Sequence, residues 1–281
     1  MNKNLLNKKA HHSSCIAPNF DAKFADGSWV QCPYCKKSFS SHELGIYKEC
    51  PNCSFGFRLS ARERLKLITT NFKEINHDLQ TEATECGFPN FGEKYLKAQQ
   101  YTGLQEGVLT GIAKIEDFSV CLGIFDPNFI MGSMGTIVGE KLTKLFELAL
   151  AEKLPVILFI NSGGARMQEG INSLMQMAKI SSAVKEHSNG GLLYTAVLCD
   201  PTMGGVSASF GFQADITIAE PHSRIGFAGP RVVVNATHEQ LPDDFQRAES
   251  LYKHGFLDEI VPRSTVRKYL ISILKLYSKR R

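Results

Sequence analysis

Residues 155–165 read P-V-I-L-F-I-N-S-G-G-A, in which five consecutive large apolar residues are followed by a turn that contains two glycines. An apolar run of this length, bounded by turn residues, is typical of a buried β-strand. The next residues, Met167–His187, predict a helix because their apolar side chains recur at a spacing of i, i+3, i+4 and i+7. Those side chains are Ile171, Leu174, Met175 and Ala178. The stretch therefore predicts a strand, a turn and a helix in succession.

A second unit of the same kind follows. Leu192–Leu198 predicts another buried strand, D-P-T-M-G-G (200–205) a turn, and Val206–Phe212 a short helix. A further strand is predicted at Asp215–Ala219. Strands that alternate with helices along a chain are typical of an α/β fold with largely parallel strands and right-handed crossovers.

The residues upstream of these units also show periodicity. Val108–Ile115 and Ser119–Ile124 alternate in the way that paired strands do. The segment M-G-S-M-G-T-I-V-G (131–139) then leads into a helix with one apolar face. That face consists of Val138, Leu142, Leu145 and Ala149. Residues 71–104 have weak periodicity and predict helices and loops.

Composition and motifs divide the chain into three parts. Residues 1–27 are polar and without periodicity, which predicts an N-terminal tail. Residues 28–56 are rich in cysteine and predict a small metal-binding domain. Residues 57–281 form the main domain, whose first helix is expected near Ala61 because Ser60 and Glu63 form a capping box.

Four of the eight cysteines form two C-x-x-C pairs, C-P-Y-C at residues 32–35 and C-P-N-C at residues 50–53. Two such pairs supply four thiolates, which suits a tetrahedral zinc ion, and four protein ligands leave no open position. The sequence therefore predicts one structural zinc ion per chain, bound by Cys32, Cys35, Cys50 and Cys53. His42, inside the spacer, is a further candidate ligand that four cysteines make unnecessary. The cysteines without a partner at ligand spacing are Cys15, Cys86, Cys121 and Cys199.

The overall composition excludes several classes of protein. The chain has 281 residues, of which 43% are hydrophobic and 21% charged, a mixture typical of globular proteins rather than disordered ones. Its longest apolar run, Val156–Ile160, is far shorter than the roughly 20 residues of a membrane-spanning helix. The N-terminus lacks the apolar segment of a signal peptide. We expect a soluble, cytoplasmic protein.

Charge is distributed unevenly along the chain. Residues 1–66 contain 11 Lys and Arg against 5 Asp and Glu, and residues 263–281 contain 7 Lys and Arg and no acidic residue. The intervening residues have 14 basic against 23 acidic side chains. Basic ends on an acidic body are compatible with a nucleic acid, an acidic partner or an anionic substrate, or simply with solvated termini.

Both predicted units place a Gly-Gly pair between a buried strand and the start of a helix. Glycine permits close approach of a ligand to the backbone, and the free N–H groups of a first helical turn favour negative charge. Two adjacent turns can each donate one N–H to the same oxygen and so form an oxyanion hole. The alternative is that the glycines only permit tight packing of helix against strand.

Other catalytic motifs are absent from the sequence. It contains no G-x4-G-K-[ST], and G-S-M-G-T-I-V-G does not have the spacing of G-x-G-x-x-G. Three serines that follow the predicted strands are nucleophile candidates only with a histidine base, which the positions of His187 and His222 do not indicate. These serines are Ser162, Ser207 and Ser209.

Longer motifs carry a resemblance to a known family. Beyond the two cysteine pairs, they include F-R-L-S-A-R-E-R, M-G-S-M-G-T-I-V-G-E-K, S-G-G-A-R-M-Q-E-G, D-P-T-M-G-G-V-S-A-S-F, I-G-F-A-G-P-R-V and L-P-D-D-F-Q-R-A-E, in order over about residues 28–265. In these motifs the sequence resembles the β subunit of bacterial acetyl-CoA carboxylase carboxyltransferase.

The resemblance implies a fold and a reaction. The fold would be a crotonase-like spiral of ββα units with an N-terminal four-cysteine zinc ribbon. The reaction would transfer the carboxyl group of carboxybiotin, held on a biotin carboxyl carrier protein, to acetyl-CoA. Its product, malonyl-CoA, is the first committed intermediate of fatty acid biosynthesis. The implied partners are a carboxyltransferase α subunit in an α2β2 complex, the carrier protein, and an ATP-dependent biotin carboxylase, with no membrane association.

The resemblance also suggests roles for the glycine-rich turns. Carboxyl transfer needs the acetyl thioester as an enolate, so the N–H groups around Gly164–Ala165 and Gly204–Gly205 are the candidate oxyanion hole. Candidate contacts to CoA or biotin are assigned to two loops. Their residues are Gly132, Gly135, Gly139, Gly226, Gly229 and Arg231. A structural salt bridge is an equal alternative for Arg231.

Two departures from the family pattern raise alternatives. Asn161 stands where the family usually has a small residue, and V-V-N-A at Val233–Ala236 replaces the usual I-E-Q-T. These changes leave the acyl selectivity open, with another acyl-CoA such as propionyl-CoA as the alternative substrate. Nucleic-acid binding by the basic ribbon is a further alternative, as a side activity.

Overall fold

The computed structural model describes residues 28–79 and 87–279, so the predicted tail at residues 1–27 lies outside the described residues, as do Cys15 and Cys86. The strands in the described part are β1 (Trp29–Gln31), β2 (Ser38–Ser40), β3 (Asn71–Glu74), β4 (Val108–Ile115), β5 (Phe118–Phe125), β6 (Val156–Ser162), β7 (Tyr194–Thr202), β8 (Ile216–Ala219) and β9 (Glu259–Ile260). The α-helices are α1 (Ala61–Ile68), α2 (Phe91–Thr102), α3 (Thr136–Ala151), α4 (Ile171–Asn189), α5 (Gly204–Ser207), α6 (Pro230–Thr237), α7 (Ala248–Lys253) and α8 (Arg263–Ser278). None of these helices combines the length and apolar character needed to cross a bilayer.

Seven of the described strands form one sheet, in the order β3–β4–β5–β6–β7–β8–β9. β3, β4 and β5 are antiparallel neighbours, whereas β5 to β9 are parallel neighbours. The predicted pair of strands and the predicted order of parallel strand, turn and helix are therefore confirmed. The bounds of the second unit differ, because β7 runs through Thr202 into the predicted turn. Its helix is the short α5 followed by a 3₁₀ turn at Phe210–Phe212, rather than one helix over Val206–Phe212. The prediction of helices and loops for residues 71–104 is wrong at its start, where Asn71–Glu74 form the strand β3. Its four residues alternate in burial at a sheet edge, which is too short a pattern to stand out in the sequence.

Apolar clusters cover both faces of the sheet. On one face α3 buries Val138, Leu142, Leu145 and Ala149 completely, which confirms the predicted helix face. On the other face α1 and α8 pack over the strands through Ile68, Val266 and Leu270. Helix α1 begins as predicted, since the Ser60 hydroxyl accepts the Glu63 N–H and the Glu63 carboxylate accepts the Ser60 N–H.

The predicted apolar face of α4 is wrong. The helix begins at Ile171, after a 3₁₀ turn at Met167–Glu169, and the side chains of its predicted face are exposed. Three of them are large apolar groups, Ile171 at 67%, Leu174 at 46% and Met175 at 57% exposure. The helix instead buries Ser173, Gln176, Ile180, Val184 and His187 against the sheet and α3. Periodicity locates an apolar stripe but does not say whether the chain itself or another molecule covers it.

The cysteine-rich segment folds around its own small apolar cluster. β1 and β2 pair as a hairpin, and the two cysteine pairs lie at the adjacent turns. The cluster comprises Val30, Cys32, Phe39, Leu44, Cys50, Phe55 and Phe57. The four-cysteine ribbon and the α/β domain together have the fold class that the sequence predicts.

A buried ion pair network anchors this ribbon to the main domain. Glu220, at the end of β8, accepts hydrogen bonds from Arg64 at 2.6 Å and from Arg263 at 2.8 and 2.9 Å. Arg263 also donates to the carbonyl groups of Tyr47 at 2.8 Å and Phe57 at 3.0 Å. Because all three charged side chains are almost fully buried, each depends on the others for charge compensation.

Candidate functional site

The strands β6 and β7 end side by side, so the turns that follow them are in contact. Ser162 pairs with Thr202 in the sheet, and the Met203 N–H donates to the Ser162 carbonyl at 2.9 Å. A Cβ added to Gly164 would lie 3.2 Å from the Met203 carbonyl oxygen and 3.6 Å from the backbone nitrogen of Gly205. The structure therefore brings together the two turns that the sequence singles out.

Two of the four candidate N–H groups already have acceptors. The Gly164 N–H donates to the Ser162 hydroxyl at 3.1 Å. The Gly204 N–H donates to the carbonyl groups of Gly226 at 3.1 Å and Phe227 at 3.0 Å. Both groups therefore hold the turns in shape, and a ligand would have to compete with these bonds.

The other two N–H groups, those of Ala165 and Gly205, donate to no group within the described residues. A Cβ added to Gly205 would lie 3.6 Å from the Ala165 Cβ, so the two residues are neighbours across the turns. Each follows a glycine with positive φ, +111° at Gly164 and +63° at Gly204, which other residues rarely adopt. Two unpaired N–H groups on adjacent turns have the arrangement of an oxyanion hole.

A buried network of charged side chains lies next to the first turn, on the side of the protein interior. Arg166 donates two parallel bonds to Glu106 at 2.6 and 2.8 Å, one to Glu169 at 2.9 Å and one to the Ser133 carbonyl at 2.8 Å. The second carboxylate oxygen of Glu169 accepts the N–H and hydroxyl of Thr136 at 2.6 and 2.7 Å, where α3 begins. The side chain of Arg166 is fully buried, so this arginine of the S-G-G-A-R motif orients the turn rather than contacting solvent.

This network also perturbs a tyrosine. The Tyr95 hydroxyl donates to Glu106 at 3.0 Å, and the Tyr95 ring packs against the ring of Phe129. Burial, reinforced by the negative charge of Glu106, raises the pKa of Tyr95 well above its ordinary value. The sequence does not single out Glu106 or Tyr95, since neither belongs to a recognisable motif. Their place in the network follows only from the structure, in which Glu106 contacts both Arg166 and Tyr95.

The four cysteine sulfurs meet at one point. The Sγ atoms of Cys32 and Cys53 are 3.7 Å apart, those of Cys35 and Cys50 are 3.8 Å apart, and all four lie within 4.8 Å of one another. Sulfurs at about 2.3 Å from a tetrahedral zinc ion would be separated by about 3.8 Å. The cluster can therefore hold zinc without rearrangement, and His42 does not belong to it.

Comparison with known proteins identifies the family. Residues 58–264 match the model of the carboxyl transferase domain. The chain is 54% identical to the acetyl-coenzyme A carboxylase carboxyl transferase subunit beta of Ligilactobacillus salivarius, over 91% of this chain and 90% of that protein. It is 53% identical to the subunit of the same name from Leuconostoc citreum, over 91% of each. The chain belongs to this carboxyl transferase β-subunit family.

Solved structures share the fold of this family member. The transcarboxylase 12S structure with bound methylmalonyl-coenzyme A has a TM-score of 0.64 and 25% identity, covering 76% of this chain and 41% of that one. The Pseudomonas malonate decarboxylase MdcD–MdcE heterodimer has a TM-score of 0.59 and 20% identity, covering 79% and 86%. The α/β architecture of the chain is therefore that of carboxyl transferases, as the sequence predicts.

In this carboxyl transferase subunit, the glycines of the first candidate CoA loop have packing roles. Gly132, Gly135 and Gly139 are all buried. A Cβ at these positions would overlap the Asn161 carbonyl, the Glu169 carboxylate and the Gln176 amide, respectively. These three glycines allow α3 to pack closely against its neighbours, and their contacts to CoA stay a prediction.

The second candidate loop is more open. Gly226 packs against the Gln246 side chain, whereas a Cβ at Gly229 would meet no atom within 4 Å. Arg231 is exposed on α6, a helix that buries none of its residues against the rest of the described chain. Among the sequence-derived candidates, Gly229 and Arg231 thus remain available for a ligand or a partner.

The two departures from the family pattern lie in different environments. Asn161 is 6% exposed at an irregularity in the β6–β7 pairing, and its side-chain oxygen has no hydrogen-bond partner among the described residues. By contrast, Val234–Ala236 are exposed on α6. The first departure can therefore alter the turn itself, while the second alters only an outer surface.

The serine-nucleophile alternative finds no support in the geometry. Ser207 and Ser209 each donate to backbone carbonyl groups, while Ser162 accepts the Gly164 N–H. The rings of His187 and His222 contact the carbonyl groups of Leu154 and Cys53. No histidine in the described residues contacts any of these serines.

An exposed apolar surface borders the turns. It consists of Met131, Met167, Ile171, Leu174, Met175, Phe227 and Val232, each at least 46% exposed. Most belong to segments that directly adjoin the two turns, and Ile171, Leu174 and Met175 form the outward stripe of α4. So much apolar area next to a candidate site is typical of an interface with another protein.

Proposed function

We propose that the chain is the β subunit of an acetyl-CoA carboxylase carboxyltransferase and forms malonyl-CoA from acetyl-CoA. The observation that carries the proposal is the pair of unoccupied N–H groups at Ala165 and Gly205. The family supplies the reaction: carboxybiotin on the biotin carboxyl carrier protein would supply the carboxyl group and, at the nitrogen from which that group is released, a site for one proton of the acetyl methyl group. The enolate carbon left by that proton would bond to the released carboxyl carbon and give malonyl-CoA.

In this mechanism the chain itself stabilises charge. Removing a proton from the acetyl methyl group places negative charge on the thioester oxygen. The N–H groups of Ala165 and Gly205 donate to that oxygen, and they are rigid because the neighbouring Gly164 and Gly204 N–H groups are held by the protein. One such donor contributes about 2.7–4 kcal/mol of transition-state stabilisation.

The absence of an acid or base at the turns fits this role. Behind the first turn, the guanidinium of Arg166 is paired with the carboxylates of Glu106 and Glu169 in the interior, so these three side chains are already engaged with one another. The chain therefore supplies an oriented backbone rather than a proton-transfer residue. Gly229 and Arg231 remain proposed contacts to an anionic part of CoA or biotin.

The cysteine cluster is proposed to hold a structural zinc ion. Its four ligands, Cys32, Cys35, Cys50 and Cys53, saturate a tetrahedral ion, so the metal would stabilise the ribbon without taking part in the transfer. We further propose that the apolar surface bordering the turns binds the carboxyltransferase α subunit in a cytoplasmic α2β2 complex. The carrier protein and biotin carboxylase complete the proposed set of partners.

The reverse reaction tests this function. Malonyl-CoA and a biotin analogue are mixed with the purified chain, alone and with its α subunit, and release of acetyl-CoA is followed. Activity that appears only with α supports the proposal. No activity on malonyl-CoA in a correctly assembled α2β2 complex contradicts it, and replacing malonyl-CoA with methylmalonyl-CoA then shows whether another acyl-CoA is the substrate.

A further inference from the structure

One short segment, residues 222–227, connects the cysteine ribbon to the second turn. At its N-terminal end His222 contacts the ribbon, and at its C-terminal end the carbonyl groups of Gly226 and Phe227 accept the Gly204 N–H. The segment is six residues long and is hydrogen-bonded on both sides. Ribbon and candidate oxyanion hole are thus joined by a short and rigid path.

The ribbon end of this path is a stack of three side chains. The imidazole of His222 lies 3.8 Å from the ring of Tyr34, centroid to centroid, at an angle of 12°. Arg247 packs on the same tyrosine ring at 5.3 Å and donates to the His222 carbonyl at 2.9 Å. The His222 Nε2 contacts the carbonyl of Cys53 at 3.0 Å. Two residues of the cysteine motifs therefore hold one histidine.

His222 occupies a conformation that needs such support. Its φ is +60°, in the left-handed region that only a few per cent of non-glycine residues adopt, with Asn, Asp and His the most frequent among them. The Glu249 carboxylate accepts the His222 N–H at 2.8 Å and lies 2.7 Å from Nδ1. With these contacts, backbone and ring of His222 are held from both the ribbon and α7.

The site end of the path holds the second turn. The Arg224 carbonyl accepts the Thr202 N–H at 2.9 Å, and the Gly226 N–H returns a bond to the Thr202 carbonyl at 3.1 Å. The Gly226 carbonyl accepts both the Gly204 N–H at 3.1 Å and the Ser207 hydroxyl at 2.6 Å. A shift of the segment would therefore move Gly204, and with it the orientation of the next N–H, that of Gly205.

We infer that Tyr34 and His222 are positioning residues for the carboxyl transfer: they transmit the placement of the metal-binding ribbon to the Gly205 N–H. Neither side chain contacts the reacting atoms. The inference rests on the proposed function, because it concerns the rate of the proposed carboxyl transfer. It gives the contact between the ribbon and His222 a role in that rate in addition to a role in stability.

The test uses the assembled α2β2 complex with full zinc content. Tyr34→Ala removes the stacking partner, and His222→Asn removes the ring while keeping a residue that tolerates positive φ. We expect each substitution to lower kcat about tenfold and to leave the KM for malonyl-CoA unchanged. This loss is smaller than the 10²–10³-fold loss of kcat that removal of one oxyanion-hole donor causes, because the Gly205 N–H is displaced and not removed. Tyr34→Phe retains the ring and should restore the wild-type kcat.

The matched control loosens the same interface elsewhere. The ammonium group of Lys48, in the ribbon, pairs with the Glu63 carboxylate on α1 at 2.8 Å. Within the described residues, its side chain makes no hydrogen bond or ion pair with residues 222–227. Lys48→Gln should leave kcat unchanged. Amide hydrogen exchange supplies a readout besides activity, since Tyr34→Ala should speed exchange at Gly204 and Gly226, whereas Lys48→Gln should not.

Two results would overturn the inference: a Tyr34→Ala complex whose kcat equals that of Lys48→Gln, or unchanged exchange at Gly204 and Gly226 in both Tyr34→Ala and His222→Asn. A failure of the proposed function is recognised separately, because the wild-type complex would then be inactive while the exchange measurement would still report whether ribbon and turn are coupled.

Discussion

The backbone of Met203 donates a hydrogen bond to the carbonyl of Ser162 at 2.9 Å, which ties the turn after one central strand to the turn after the next. Parallel neighbours end at the same edge of a sheet, so their following turns meet there. The bond fixes the distance between them. As a result Ala165 and Gly205, 40 positions apart in the sequence, are neighbours, and neither N–H group has an acceptor within the described residues.

The first prediction concerns Gly205. A Cβ at this position would lie 2.5 Å from the Met177 sulfur, so Gly205→Ala must displace either that side chain or the turn. Alanine keeps its backbone N–H, so the effect comes from displacement of that N–H with the turn. We expect kcat to fall about tenfold or more, below the 10²–10³-fold loss for complete removal of one donor, with a small change in melting temperature. Reverse-reaction kinetics and calorimetry measure both quantities.

Gly107→Ala is the matched control for this substitution. Its added Cβ would meet only ordinary contacts, at 3.5 Å and beyond, with Phe129. It should change kcat by less than about threefold, since no donor at the turns is moved. Equal losses of kcat in the two variants would show that the position of Gly205 has no special role.

The second prediction concerns the pH dependence of stability. Burial alone raises the pKa of Glu220, but the charges of Arg263 and Arg64 outweigh it and hold the pKa well below its ordinary value. A depressed folded-state pKa contributes stability that is present above about pH 4.3 and is lost as the pH falls further. Glu220→Gln should therefore weaken the acid dependence of the unfolding free energy and lower that energy at pH 7 by about 3–5 kcal/mol.

The control for Glu220 is Glu63→Gln. Glu63 pairs with Lys48 but is 44% exposed, and such surface pairs contribute about 0–1 kcal/mol. Denaturant titrations of both variants between pH 3 and pH 7 separate the two cases. If Glu220→Gln and the wild type lose stability in parallel across this range, the buried network does not hold the Glu220 pKa down.

The third prediction concerns the ribbon ligands. Cys32→Ser should lower zinc content, melting temperature and assembly with the α subunit, because a closed four-ligand site couples metal binding to folding. Metal analysis together with size-exclusion chromatography measures these effects. Cys121→Ser is the control, since Cys121 is a buried core thiol outside the cluster. A zinc-depleted Cys32→Ser variant that assembles normally would contradict a structural role for the metal.

The fourth prediction concerns the outward stripe of α4. Ile171→Glu should weaken α-subunit binding by at least tenfold without altering the fold, because the side chain is 67% exposed in the isolated chain. Leu276→Glu, at the same 67% exposure on α8, is the matched control and should leave binding unchanged. Analytical ultracentrifugation of each variant with the α subunit gives the affinities; similar values for both would place the interface elsewhere.

Several elements were predictable from the sequence because their signals are local. The cysteine pairs place four sulfurs at ligand spacing within 22 residues, and the capping box at Ser60 and Glu63 marks a helix start through bonds within one turn. The buried strands β6 and β7 follow from short apolar runs next to glycine-containing turns. Long shared motifs, such as S-G-G-A-R-M-Q-E-G, carried the family resemblance.

Other features depend on which segments meet, and no local pattern reports that. The apolar stripe of α4 has helical spacing whether it faces the core or a partner. Glycines that fit tight packing, such as Gly135, look the same in sequence as glycines that admit a ligand. Arg166 belongs to the S-G-G-A-R-M-Q-E-G motif, yet no local pattern shows that Glu106, 60 positions earlier, accepts two hydrogen bonds from its guanidinium.

The sequence by itself therefore determined the order of strands, turns and helices, the grouping of four candidate metal ligands and the family, since these follow from patterns within short segments. Only the tertiary structure decided which backbone N–H groups remain available for an oxyanion. The Gly164 N–H donates to the nearby Ser162 hydroxyl, whereas the Gly204 N–H donates to the carbonyl groups of Gly226 and Phe227, where the chain returns to the turns. A backbone N–H donates to whichever acceptor the fold brings near it, and over residues 28–79 and 87–279 the fold brings none to the N–H groups of Ala165 and Gly205.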